Sequence, residues 1–170
     1  MRHIDTIVIH CAATPPEMDI GAAEIRGWHL SRGWDDIGYH YVIRRDGSVE
    51  HGRPDSRVGA HAQGHNEASI GVCWVGGVNE DREPEDNRTP EQKATLEGLV
   101  LDLLHAYTHI PTDGIIGHRE TGARKACPSF DVQELRDAVR SSMATNPKPR
   151  ATPISRITIM SDGTHTVEPA

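Results

Sequence analysis

Residues 70–77 read IGVCWVGG, an apolar run too short for an ordinary helix and closed by glycines. That pattern predicts a strand buried on both faces at the centre of a sheet, and such sheets are parallel or mixed and covered by helices. The neighbouring segments agree. Residues 4–10, IDTIVIH, alternate apolar and polar positions as far as Ile7, Val8 and Ile9, so a partly buried strand delivers His10 at its end before Thr14, Pro15 and Pro16 break it. Residues 38–52, GYHYVIRRDGSVEHG, place two alternating stretches around Asp46-Gly47, a hairpin signal. Strand alternation there puts Tyr39 and His40 on opposite faces. A short strand, GIIGH, ends at His118.

Three helices alternate with these strands. In residues 22–31, AAEIRGWHLS, helical spacing puts Ile25, Trp28 and His29 on one face, and Gly33 follows as a stop. Thr89-Pro90-Glu91-Gln92 supplies an N-cap, a proline at the first helical position and a glutamine to close a capping box. Leu96, Leu99, Val100, Leu103, Leu104 and Tyr107 then recur at helical spacing. Asp131 and Glu134 open a last helix carrying Leu135, Ala138 and Val139. The expected fold is α/β: a single domain with a mixed central β-sheet flanked by helices, and chemistry gathered at the strand ends.

The periodic pattern stops near Met143, and residues 145–153, TNPKPRATP, are proline-rich without periodicity. The expected division is one folded domain over residues 1–143 and a linker and tail over 144–170, either disordered or a short hairpin around Asp162-Gly163. Net charge is -7, with basic residues scattered, which argues against nucleic acid as a partner. No apolar run approaches the ~20 residues that span a bilayer. Asp5 interrupts the one apolar stretch near the start, so neither a signal peptide nor membrane insertion is expected.

Chemistry is sought among the 11 histidines and three cysteines. His10 and His118 end two strands, and Cys127 lies in the loop that follows His118. Two imidazoles and a thiolate suit zinc, and three protein ligands leave a fourth position open. Read from spacing alone the trio is one among many in a His-rich chain. His105 and His109 also share i, i+4 spacing, but neither that pair nor His61 and His65 carries the glutamate of the helical zinc-protease motif. His105 and His109 read instead as cations at a helix C-terminus, and Gly59 and Gly64 put His61 and His65 in a loop. Cys11, facing away from His10, and Cys73, inside VCWV, read as buried structural thiols. Lys125, two residues before Cys127, favours the thiolate.

In order along the chain, IVIHCAAT, RGWDDIGYHYVIRRDG, GAHAQGHN, SIGVCWVGG, TPEQ, GHRE and KACPSFDV resemble the bacteriophage lysozyme-type N-acetylmuramoyl-L-alanine amidases. The likeness spans about residues 4–140, and the family shares its fold with peptidoglycan recognition proteins. The resemblance implies one zinc ion per chain, held by His10, His118 and Cys127, with Tyr39 and Lys125 as catalytic residues. His61, in the block GAHAQGHN, is a candidate substrate contact, and His40 a structural residue. The segment RETGARKA between His118 and Cys127 looks about one residue longer than the best-known pattern.

The implied activity is cleavage of the bond between N-acetylmuramic acid and L-alanine in peptidoglycan, as a phage or prophage endolysin. Two alternatives stand beside it: a cytosolic recycling amidase for anhydro-muropeptides, whose third ligand is typically aspartate, and a wall-binding module without catalysis, which characteristically lacks the cysteine. Cys127 disfavours both. An endolysin without a signal peptide is made in the cytoplasm and reaches the periplasmic wall through a holin. A monomer is expected.

Overall fold

The computed structural model describes residues 2–145. The hairpin expected around Asp162-Gly163 therefore lies outside the described residues. The elements in chain order are β1 (Thr6–Cys11), α1 (Ala22–Ser31), β2 (Tyr41–Ile43), β3 (Val49–His51), β4 (Ser69–Trp74), α2 (Pro90–Ala106), β5 (Ile115–Gly117) and α3 (Val132–Thr145). They form one mixed sheet in the order β3-β2-β4-β1-β5. β4 runs parallel to β1 and β2, β5 parallel to β1, and only the hairpin strand β3 is antiparallel to its neighbour. The apolar run at residues 70–77 thus supplies the middle strand, buried along its whole length.

Alternation along the strands gives the sheet two unlike faces. Ile7, Ile9, Ile43, Ile70, Val72 and Trp74 point to one of them and pack with Leu96, Val100 and Leu103 of α2 and Leu135 and Val139 of α3. Each such side chain contributes about 1.5–3 kcal/mol by leaving water. The opposite face is smaller: Ile20, Ala22, Ile25, Ile37, Val42 and Val75 form its cluster under α1.

Local signals hold where the sequence placed them. Thr89 Oγ1 accepts from the Gln92 N–H at 3.1 Å, and Gln92 Oε1 accepts from the Thr89 N–H at 3.1 Å. Gln92 is also fully buried, and its amide donates to the Val75 carbonyl at 2.8 Å, tying α2 to the end of the central strand. Asp131 Oδ1 accepts from the Gln133 N–H at 2.9 Å at the start of α3.

Three expectations are corrected. On α1 Ile25 and His29 are buried, but Trp28 is 38% exposed, because the contact stripe is narrower than the helical spacing allowed. α2 ends at Ala106, so His109 does not share a helix face with His105; its Nε2 lies 2.5 Å from the Ile4 carbonyl. β2 begins only at Tyr41, so strand alternation does not govern Tyr39 and His40. The Tyr39 ring lies 5.1 Å from that of His10, and the His40 ring 5.6 Å from that of His61, the imidazole bonded to His10. Among the described residues no helix is long and apolar enough to cross a membrane.

Candidate active site

The parallel register pairs Ile9 of β1 with Gly117 of β5, so the chain leaves the two strands with His10 and His118 side by side, their ring centroids 4.5 Å apart. Cys127 is brought back to them by backbone ties. The Arg119 N–H donates to the Cys127 carbonyl at 2.9 Å, and the Cys11 N–H donates to Cys127 Sγ at 3.3 Å. Trp74 Nε1 donates to the Pro128 carbonyl at 3.1 Å, which anchors the returning loop to the buried centre of the sheet.

The result is a group whose ligand atoms, one each from His10, His118 and Cys127, all lie within 4.8 Å of one another. Among the described residues no other group of three His, Cys, Asp or Glu side chains converges in this way. Two imidazoles and a thiol at that spacing can hold a metal ion, and they are the donor types that borderline-soft metals prefer.

Electrostatics favour the ligating forms of the two imidazoles. Burial, then His61, His118 and Lys125, push His10 well below the ordinary imidazole range, and burial with Lys125 lowers His118. Both rings are therefore neutral, as a metal ligand must be. The thiol behaves otherwise: its hydrogen bond with Cys11 and its burial push Cys127 above the usual thiol range while Cys11 is lowered to about 7, so without metal the first proton of the pair leaves from Cys11, and the thiolate expected on Cys127 beside Lys125 is not favoured.

Over this trio lies a cavity of about 540 Å³ lined by Tyr39, His29, Trp34, His61, Lys125 and Cys127, among others. It continues past His118 and Lys125 into a second hollow of about 770 Å³ along Gln63, Asn66, Thr121 and Arg124. Tyr39 is partly buried, and desolvation together with the Cys73, Cys127 and Cys11 thiols raises its hydroxyl well above the normal range, so it stays protonated. Lys125 is exposed at the rim.

Four of the five residues expected to act on metal or substrate, Tyr39, His118, Lys125 and Cys127, thus border one cleft, and His10 is buried behind His118 and Cys127. His61 borders it too, but its ring is buried and its Nδ1 lies 3.0 Å from His10 Nε2. His29 and Trp34 were not singled out for the site from sequence. His29 is buried, and its Nδ1 accepts from the Gly38 N–H at 2.9 Å. Trp34, an exposed aromatic set among charges in RGWDD, carried the one signal that could have marked a cleft wall.

Residues 1–130 match the family model described as N-acetylmuramoyl-L-alanine amidase. The endolysin of Enterobacteria phage K11 is 49% identical over 125 residues, covering 74% of this chain and 80% of that protein. The endolysin of Escherichia phage T7 is 47% identical over 131 residues, covering 76% and 83%. Among solved structures, the N-acetylmuramoyl-L-alanine amidase LysC from Clostridium intestinale URNW superposes with a TM-score of 0.70 at 31% identity, over 82% of this chain and 87% of that one. Drosophila PGRP-LB, at 21% identity and a TM-score of 0.64, shares the fold. With its strand-end trio, its cleft and these relatives, the chain belongs to the N-acetylmuramoyl-L-alanine amidase family.

Proposed function

We propose that the cleft hydrolyses the amide between N-acetylmuramic acid and L-alanine of peptidoglycan, as the endolysin of a phage or prophage. The observation that supports it most is the convergence of His10, His118 and Cys127 beside a cleft that Tyr39 and Lys125 line. His10, His118 and Cys127 would hold one zinc ion, and three protein ligands would leave a fourth position for water or substrate. Bound there, zinc supplies a Lewis acid that polarises the scissile carbonyl and lowers the pKa of a water.

The chain's own residues do the rest. His10 and His118, kept neutral by burial and by the Lys125 charge, offer lone pairs rather than protons. Tyr39, held protonated, orients the attacking water through its hydroxyl and relays a proton toward the leaving alanine nitrogen. The Lys125 ammonium, at the cleft rim, stabilises negative charge growing on the amide oxygen. Trp34 lines the cavity and gives a sugar or peptide an apolar surface to lie against.

Cys127 in the trio favours catalysis over a recognition module without activity. On this reading the chain is made in the cytoplasm, reaches the wall through a holin and works as a monomer. Digestion of purified sacculi tests the reaction: new L-alanine amino termini without new reducing sugar ends are expected. New reducing ends would make the enzyme a glycosidase and overturn the proposal.

A further inference from the structure

Resting on the zinc reading above, we propose that His61, backed by Ser69, is a positioning residue that holds His10 as the Nε2–H tautomer and so frees its Nδ1 for the metal. The direction of each hydrogen bond follows from one proton count. Ser69 Oγ lies 2.7 Å from the His65 carbonyl, which can only accept, so the hydroxyl proton is committed there. The Ser69 oxygen is then left to accept from His61 Nε2–H at 3.4 Å. A neutral His61 with its proton on Nε2 offers Nδ1 as an acceptor, and His10 Nε2–H donates to it at 3.0 Å. The lone pair of His10 is thereby on Nδ1, the nitrogen that lies 3.8 Å from Cys127 Sγ. Reversing the chain would demand two protons of one hydroxyl.

The rest of the fold is shaped around the His61 ring. A Cβ at Gly71, in the middle of β4, would come within 2.5 Å of His61 Cδ2, and a Cβ at Gly59 would do the same. A glycine inside a buried strand costs stability and marks a close approach, and the ring of His61 is what approaches here. The His61 backbone is fixed as well, since Asn66 Oδ1 accepts from the N–H groups of His61 at 2.8 Å and Ala62 at 2.9 Å. His61 is 8% exposed and His10 1% exposed, so no water competes strongly for their shared bond. Partners that orient a metal-ligating imidazole in this way typically change metal affinity by about 10–100-fold.

The test is a zinc titration of the metal-stripped full chain against a chromophoric chelator, for the parent and for His61→Phe, His61→Asn and Ser69→Ala. His61→Phe fills the space without an acceptor and is expected to weaken zinc binding about 10–100-fold. His61→Asn returns a carbonyl oxygen near the Nδ1 position and should recover most of that loss. Ser69→Ala should weaken zinc several-fold, and ring-nitrogen NMR of the metal-free parent should show the His10 proton on Nε2. Should His61→Phe fail to fold, Ser69→Ala and the NMR tautomer decide. Unchanged zinc affinity in His61→Phe, equal loss in the Asn and Phe variants, or a proton on His10 Nδ1 would each overturn the positioning role. A raised KM with unchanged zinc affinity would do so too, making His61 a substrate contact. A parent chain that binds no zinc would instead overturn the metal reading on which the proposal rests.

Discussion

The two faces of the sheet are built from the same strands and do opposite things. Along β1, Ile7, Ile9 and Cys11 enter the large apolar cluster under α2 and α3, while His10 turns to the other side. Along β4, Ile70, Val72 and Trp74 fill the same cluster, and the residues between them on the other face are Gly71 and Cys73. The first face is dense with large side chains and carries the stability. The second is made of small strand residues, and the space they leave is taken by His61 and, beside Cys73, Tyr39. The two-residue period thus keeps the packed side of β1 and β4 apart from the side that holds the site.

If that division is right, substitutions on the two faces fail differently. His10→Ala, His118→Ala and Cys127→Ala should each abolish stoichiometric zinc and amidase activity, measured by metal analysis and sacculus digestion. Tyr39→Phe and Lys125→Ala should lose on the order of a hundredfold in rate with zinc content and melting temperature unchanged. On the other face, Leu96→Ala or Trp74→Ala should cost about 2–5 kcal/mol in urea unfolding. Trp74→Ala also strips the Pro128 carbonyl of its donor next to Cys127, so it is the one core change expected to weaken zinc as well. A melting temperature that falls as far in Tyr39→Phe as in Leu96→Ala would break the comparison.

The same division explains what could be read from the sequence. Signals carried by a few neighbouring residues were legible: the Thr89 and Gln92 capping box, the Asp46-Gly47 hairpin turn and the central strand at Ile70. The α/β class followed from their alternation. The metal trio was not legible from spacing, because His10 and His118 are joined by the lateral pairing of β1 with β5, and only the resemblance to a known family singled them out. The partnership of His61 with His10 was beyond reach for the same reason, although Gly71 inside an apolar strand marked where a side chain had to fit. Trp28 and His109 were misplaced because helical spacing says which residues share a face, not where the contact stripe or the helix ends.

Acid should expose the cost of the second face. Unfolded imidazoles titrate near 6.5, and burial holds His29 and His40 below that value and His61 at about 3. Below pH 6.5 the unfolded chain therefore takes up more protons than the folded one. The stability of the metal-free protein is fully present above pH 6.5 and is lost as pH falls toward the folded values. For His61 alone the loss at pH 5 is about 2 kcal/mol, at 1.36 kcal/mol per unit. The lowered carboxylates add their share only below their ordinary values, 4.5 for Glu24 and 3.8 for Asp35, Asp36 and Asp46, so between pH 6.5 and 4.5 the loss is carried by the histidines. Urea midpoints measured at pH 7.5 and 5 should separate, and His61→Asn should narrow the gap. Equal midpoints would mean that these imidazoles are solvated, and the contrast between the faces would lose its electrostatic half.

The smallest effect is expected from removing residues 146–170. The sequence division was placed at residue 143, but α3 continues to Thr145, and Ser142 Oγ donates to Glu97 of α2 at 2.5 Å, so a cut after Met143 would leave that end of the helix frayed. A cut after Thr145 spares it and every residue assigned to metal, catalysis or either sheet face. Zinc content, melting temperature and rate on purified sacculi should then match the full chain within about twofold, since substitutions away from packed or catalytic groups usually change little. A truncated chain that keeps its zinc and its melting temperature but binds sacculi poorly would make 146–170 a wall-targeting segment. A truncated chain that melts early would instead add these residues to the packed face, and the apolar side of the sheet would extend beyond α2 and α3.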